Sequence, residues 1–226
     1  NSFDYKAQNL NLYTKLNLQA LMLLLDKYQS VFTLGYKPYL KRDLGCFSLL
    51  DEEFGIVKGF MTTVHAYTND QNLVDNMHRK YRRGRAAALN MVITETGAGA
   101  AVSKAIPALE GKLTSNAIRV PVPNGSLAIL NLQLRTKVSK HTVNSLLKKY
   151  ALEGDLVEQI KYSIDNELVS SDIIGSTAPS IFDSKATITD KETIVLYVWY
   201  DNEYGYSHQV IRLAKHIAKV RRYTYY

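Results

Sequence analysis

The sequence predicts an α+β fold: a mostly antiparallel sheet covered by helices. Three observations carry this expectation. Runs of β-branched and apolar residues stand at 55–64, 127–134 and 193–200. A Pro123-Asn124-Gly125 turn separates two neighbouring strand candidates, 118–121 and 127–134, as in a hairpin. Segments with apolar residues at helical spacing follow at 138–152 and 207–220, so strands joined by turns give way to helices that can cover one sheet face.

Taken in order, residues 1–49 scatter Tyr5, Tyr13, Tyr28, Tyr36 and Tyr39 among Asn, Lys and Leu, and only 18–27 (LQALMLLLDK) has a clear local preference, for a short helix. From Leu50 the texture becomes that of a compact α/β protein. Residues 55–64 (GIVKGFMTTV) read as a strand, and the polar stretch 65–85 as a long ordered loop, a feature that in compact domains usually serves function. Apolar residues return at 86–94. The small residues of 97–106 (GAGAAVSKAI) read as a helix, closed by Pro107, that can approach a sheet closely. In 138–152 the apolar positions are Val143, Leu146, Leu147 and Tyr150, with Ser139 as N-cap and Gly154 as the stop. The last helix, 207–220, gathers Val210, Ile211, Ala214, Ile217 and Ala218 on one face and leaves Arg212, Lys215 and Lys219 off it.

Composition narrows the function classes. The 226 residues are 46% hydrophobic, which excludes a disordered chain. The net charge of +7 permits an anionic ligand or nucleic acid without demanding either. One cysteine excludes an internal disulfide framework and a cysteine-based zinc site, and it points to a reducing, cytoplasmic setting; no metal site is expected. No apolar run reaches the roughly 18 residues of a membrane-spanning helix.

Four places could carry chemistry. The cluster 78–85 (HRKYRRGR) holds Arg79, Lys80, Arg82, Arg83 and Arg85, suited to phosphate or carboxylate, though a solvated face or an intersubunit contact explains it equally well. Nucleic-acid binding there is the weaker reading, because no aromatic platform or helix-turn-helix pattern accompanies the charge. His65, at a strand end, has the ordinary pKa of a general base, with a structural histidine as the alternative. Thr96-Gly97 opens the small-residue helix and could hold an anion on free N–H groups or serve only as a cap. Arg119 lies inside an apolar strand (AIRVPVP), where a charge needs a cleft or an ion-pair partner.

The order of these features is more specific than any one of them. VKGFMTTVHAYTNDQ, RRGRAAALN, TETGAGAA, GKLTSNAIRVPVPNGS and WYDNEYGYSHQV together resemble the catalytic domain of phosphorylating glyceraldehyde-3-phosphate dehydrogenases, from about Leu50 to about Val220. The resemblance implies oxidation of glyceraldehyde 3-phosphate through a cysteine thiolate, with NAD as hydride acceptor and inorganic phosphate cleaving the thioester. It implies that His65 activates the thiol. Thr68 and Arg119 would hold the substrate's C3 phosphate, and Thr96 and Gly97 the inorganic phosphate. One of Arg82 and Arg83, preferably Arg83, would also contact phosphate. Asn202 would orient the nicotinamide carboxamide, with Tyr206 close to the same ring. It also implies a homotetramer.

The sequence departs from the family in two large respects. The family's Ser-Cys-Thr-Thr-Asn-Cys stretch should fall near Pro38, where YKPYLKRDLG contains no cysteine. Cys46 is displaced from that place by eight residues, about 12 Å along a helix, and is therefore read as an inert thiol. The Gly-rich dinucleotide fingerprint is absent before Leu50, so no complete Rossmann domain is expected. Ile129 and Ala100 also stand where many members carry an acidic residue and a lysine. The expected organisation is an unassigned segment at 1–49 and a catalytic domain at 50–226. Two readings of the first segment stand side by side: sequence translated out of frame or wrongly joined, or a diverged paralogue that lost catalysis and kept a phosphate-ligand, RNA-binding or assembly role. On either, this chain lacks the nucleophile, and the last helix loses the cofactor domain it would pack against.

Overall fold

The computed structural model describes residues 45–153, 157 and 159–217. The expected 18–27 helix, Gly154 and positions 218–220 lie outside them. The first described element is a helix, α1 (Gly45–Phe54), with Leu50, the expected domain boundary, in its middle. Cys46, Phe47, Leu49, Leu50 and Phe54 all turn into the hydrophobic core. The helix stops at Gly55, whose φ of 67° is a left-handed conformation that a side chain would resist. Asp51 secures the exit, its Oδ1 accepting from Ile56 N at 2.8 Å.

Among the described residues, eight strands form one mixed sheet: β1 (Ile56–Ala66), β2 (Val92–Thr94), β3 (Leu113–Val120), β4 (Ser126–Leu134), β5 (Ile160–Ser163), β6 (Ser180–Asp183), β7 (Ile188–Asp190) and β8 (Thr193–Tyr200). The main path runs β2-β3-β1-β4-β8-β6-β5, and β7 pairs with β8. Only β1 with β3 and β5 with β6 are parallel; the other pairings are antiparallel, as the hairpin turns led one to expect. The parallel pair is made possible by the long connection between β1 and β3, which carries β2 and a helix, α2 (Ala98–Ala105).

Alternation along the strands separates the two faces. On β8, Ile194, Leu196, Val198 and Tyr200 are buried with Met61 of β1 and Ala128, Leu130 and Leu132 of β4. Helices α1, α2 and α3 (Lys140–Leu152) pack into this core, which also takes in Ile160 of β5 and Phe182 of β6. The approach of α2 is close: a Cβ on Gly99 would lie 2.9 Å from Ser115 Oγ on β3. Ser139 caps α3 through Thr142 N, and Val143, Leu147 and Ala151 are buried with Leu146 and Tyr150 packed beside them.

Several boundaries differ from the expectation. β3 begins at Leu113 rather than at 118, because the polar residues Thr114, Ser115 and Asn116 complete their ladder against β1 despite lacking an apolar run. The last helix, α4 (Tyr204–Ile217), starts before Ser207 because buried Asp201 caps it, Oδ1 accepting from Glu203 N at 2.8 Å and Tyr204 N at 2.7 Å. Ile211 on that helix is 48% exposed.

Candidate functional site

The parallel register of β1 and β3 sets His65 opposite Arg119. Both belong to the row of side chains that faces the helices, since Met61, Thr63 and His65 share one side of β1. Further along the same end of the sheet, Ser126 of β4 pairs with Tyr200 of β8. Four adjacent strands therefore contribute Arg119, His65, Ser126 and Tyr200 to one edge of the core.

Their contacts are short. Arg119 Nη1 lies 2.8 Å from His65 Nδ1 and donates to the Ala66 carbonyl at 2.9 Å. The Tyr200 ring meets the His65 ring edge-on, with centroids 6.0 Å apart. Burial, then the positive charge of Arg119, push the His65 pKa down to about 4; the Ala66 carbonyl opposes this and Arg83 adds to it. The Tyr200 hydroxyl is pushed up, chiefly by burial. Near neutrality the site thus holds a neutral imidazole and a neutral phenol beside a guanidinium.

Arg83 comes from the 3₁₀ turn Tyr81–Gly84, in the loop between β1 and β2. It ion-pairs with Asp70 and donates from Nε to Thr94 Oγ1 at 2.9 Å. Its charge is felt by both His65 and Arg119, and after desolvation it is the leading cause that lowers the Arg119 pKa. No carboxylate of the described residues lies within ion-pair distance of Arg119, whereas Arg83, Lys80 and Arg85 each have one. Among the described residues, Arg119 has no ion-pair partner. Unbalanced positive charge between a histidine and a second arginine suits an anion.

The remaining expected residues occupy the following places. Thr68 follows β1 by two positions, its carbonyl accepting from Gln71 N at 2.9 Å. Thr96 and Gly97 stand at the entrance of α2, with Gly97 as N-cap and Thr96 Oγ1 accepting from Ala98 N at 3.2 Å. The Thr96 carbonyl accepts from Ser115 Oγ at 3.3 Å, which ties this corner to β3 four positions before Arg119, roughly 13 Å back along the strand. Asn202 is buried where β8 passes into α4; its Oδ1 accepts from Ser126 Oγ at 2.9 Å, and Ser126 Oγ accepts from Ala66 N at 3.2 Å. Asn202 is therefore joined through one hydroxyl to the main chain beside His65. Tyr206 lies in the first turn of α4, half-buried. Arg82 sits in the same 3₁₀ turn as Arg83 and is exposed.

Three residues of this region were not singled out from the sequence. Ser126 and Ser115 are ordinary strand serines until the register brings them to Asn202 and Thr96. Asp201 gave a signal, an acidic residue just before a helix, and it proves to hold Asn124 Nδ2 at 3.2 Å and Gly175 N at 2.8 Å in addition to the cap. Cys46 is far from solvent, 1% exposed, with burial pushing its thiol up to about 12.

Comparison with known proteins gives the family. The family described as "Glyceraldehyde 3-phosphate dehydrogenase, C-terminal domain" matches residues 45–202. A glyceraldehyde-3-phosphate dehydrogenase-like protein of Pseudomonas aeruginosa is 52% identical over 171 residues, which cover 76% of this chain and 37% of that protein. Glyceraldehyde-3-phosphate dehydrogenase of Streptomyces coelicolor is 48% identical over 166 residues, 73% of this chain and 49% of that protein. The Mycobacterium tuberculosis protein of the same name is 48% identical over 171 residues, 76% and 50% of the two chains. The chain spans half the length of these relatives or less. Through that C-terminal domain, it belongs to the glyceraldehyde-3-phosphate dehydrogenase family.

Proposed function

We propose that this chain is the catalytic domain of a glyceraldehyde-3-phosphate dehydrogenase, built to hold glyceraldehyde 3-phosphate and inorganic phosphate around His65, and that it does not supply the thiolate of that reaction itself. The observation that carries the reading is the unbalanced guanidinium of Arg119 against neutral His65, with Arg83 adding charge. Arg119 and Thr68 would take the C3 phosphate. Thr96, Gly97 and Arg83 would take inorganic phosphate at the N-terminal entrance of α2.

His65 would accept a thiol proton, for which a neutral imidazole is the required form. The buried thiol of Cys46, raised to about 12, is a poor source of that proton and of a nucleophile. NAD, when bound, would accept the hydride. Asn202 and Tyr206 fit its nicotinamide end: an amide side chain matches a carboxamide, and Asn202 is tied through Ser126 to the backbone next to the base.

Incubation of the purified chain with glyceraldehyde 3-phosphate, NAD and phosphate is the direct test. The expected outcome is no NADH above the buffer rate, together with phosphate-ester binding that Arg119→Gln abolishes. Thiol-dependent NADH formation would overturn the inactive reading, and absence of binding the ligand reading.

The alternative of a non-catalytic module is favoured for assembly more than for RNA. Lys80 and Arg85 are committed to Glu95 and Asp75, which reduces the charge open to a polyanion. The same loop exposes Leu73, Val74, Met77, Tyr81, Leu89 and Met91, which suits contact with further copies of the chain, as in the family's homotetramer. A cytoplasmic setting fits the free thiol. No helix of the described residues is long and apolar enough to cross a membrane.

A further inference from the structure

His65 Nδ1 faces two partners that make opposite demands on it. The Ala66 carbonyl oxygen, 2.7 Å away, can only accept a hydrogen bond. Arg119 Nη1, 2.8 Å away, can only donate one, because a guanidinium has no acceptor. Nη1 also lies 2.9 Å from the same carbonyl, so the three atoms form a closed triangle.

Neither neutral tautomer satisfies all three sides. With the proton on Nδ1, the ring donates to Ala66 but confronts the cationic N–H of Arg119 across 2.8 Å. With Nδ1 bare, the two hydrogens of Nη1 serve Nδ1 and the carbonyl, and the ring proton resides on Nε2. The second arrangement holds the guanidinium charge against two lone pairs, and charge-assisted hydrogen bonds are the stronger kind. The doubly protonated ring is no third option near neutrality, since Arg119 and Arg83 both oppose it and Tyr200, the other titratable ring against it among the described residues, is neutral.

We infer that Arg119 is a positioning residue that sets the tautomer of His65, keeping it in the Nε2–H form until an anionic ligand draws the guanidinium away. The inference rests on the reading of Arg119 as a phosphate group's partner. A phosphate oxygen competes for the N–H that Nδ1 now receives. Once that N–H is withdrawn, the Ala66 carbonyl is the partner left to Nδ1, which takes up a proton to donate to it while Nε2 gives one up to water. The ring stays neutral and its composition is unchanged. What changes is that Nε2, a donor in the resting form, becomes the bare nitrogen a general base needs. Capture of the substrate's phosphate thereby prepares the base at the other end of the substrate.

The test is a two-bond ¹H–¹⁵N correlation spectrum of the chain labelled on histidine, near neutral pH, with His65 assigned by its loss in His65→Gln. The ligand-free chain is expected to show Nδ1 bare and Nε2 protonated. Arg119→Gln is expected to reverse the two without any ligand, and glycerol 3-phosphate, a phosphate monoester, to reverse them in the unaltered chain. A protonated Nδ1 in the ligand-free chain overturns the inference even where the variant does not fold. Glycerol 3-phosphate that shifts the resonances of the Arg119 side chain and leaves the tautomer unchanged overturns it too, with the phosphate-site reading intact. If glycerol 3-phosphate perturbs nothing, the phosphate-site reading fails, while a bare Nδ1 that Arg119→Gln protonates still supports Arg119 as the group that sets the tautomer.

Discussion

Arg119 Nη1 stands 2.8 Å from His65 Nδ1 with no carboxylate of the described residues to balance it. The pKa of His65, lowered from 6.5 to about 4, is therefore sensitive to that charge. Arg119→Gln is expected to raise it, though not to the ordinary value, because burial is the larger cause and remains. Titration of the imidazole resonances by NMR measures this directly. A His65 that titrates near 6.5 in the unaltered chain would show that the pair does not form.

The same depression makes stability depend on pH. Between the unfolded value of 6.5 and the folded value of about 4, the unfolded chain binds a proton that the folded chain refuses. Stability contributed by neutral His65 is thus present above the window and is lost as pH falls through it, amounting at most to about 3 kcal/mol. The urea midpoint should drop between pH 7 and pH 4.5, and drop less in His65→Asn. An equal slope in the two proteins would assign the loss to other groups.

Cys46 offers a test of the proposal that this chain supplies no catalytic thiolate. Its thiol is buried and raised to about 12, so alkylation by iodoacetamide should be negligible in the folded chain and rapid in urea. Cys46→Ala should leave phosphate-ester binding unchanged, whereas Cys46→Ser should cost about 1–3 kcal/mol by placing a hydroxyl among Phe47, Leu49 and Leu50. Fast alkylation under native conditions would contradict this burial.

The long strands were legible as runs of β-branched and apolar residues, and α3 from its capped helical spacing. In β8 (TIVLYVWY) the run is apolar throughout after Thr193, so the side that faces the core, with Ile194, Leu196, Val198 and Tyr200, came only from the structure. β5, β6 and β7 were missed, since strands of three or four residues are too short for alternation to be distinguished from loop composition. α1 was missed for a different reason: its core residues are read as helix only once Leu49, Leu50 and Phe54 have a core to face. The candidate residues could be named from the sequence by type and order. The partnerships His65 with Arg119 and Asn202 with Ser126 could not, because a parallel register and a four-strand row are properties of the assembled sheet.

Asp201 should matter more than its absence from the expected site suggests. It is 1% exposed, and its two oxygens accept from Glu203 N, Tyr204 N, Asn124 Nδ2 and Gly175 N. Asp201→Ala removes a helix cap and takes the acceptor from four part-buried hydrogen bonds, a loss of about 2 kcal/mol. Asp201→Asn keeps one acceptor and should lose less. Urea denaturation ranks the two, and indistinguishable midpoints for all three proteins would remove Asp201 from the framework that holds Asn202.

The loop between β1 and β2 presents its apolar residues from an ordered base. Asn72 N donates to the Arg83 carbonyl at 3.1 Å and Asn76 N to the Gly84 carbonyl at 2.9 Å, while Asp70 and Asp75 hold Arg83 and Arg85. A Cβ on Gly84 would come within 2.3 Å of the Asn76 carbonyl oxygen, so the two halves of the loop are in close contact. From this base Leu73 is 79% exposed, Met77 95% and Tyr81 91%. Apolar side chains fixed in water by a rigid loop cost free energy that association with a second copy recovers. Sedimentation velocity should therefore show mass increasing with concentration, and high salt should not reverse it, because apolar burial is not screened as ion pairs are. The double variant Leu73→Glu, Met77→Glu should remain folded, since neither side chain is in the core, and should sediment as a monomer. A chain that is monomeric at every concentration before the substitutions would exclude this loop as an assembly surface.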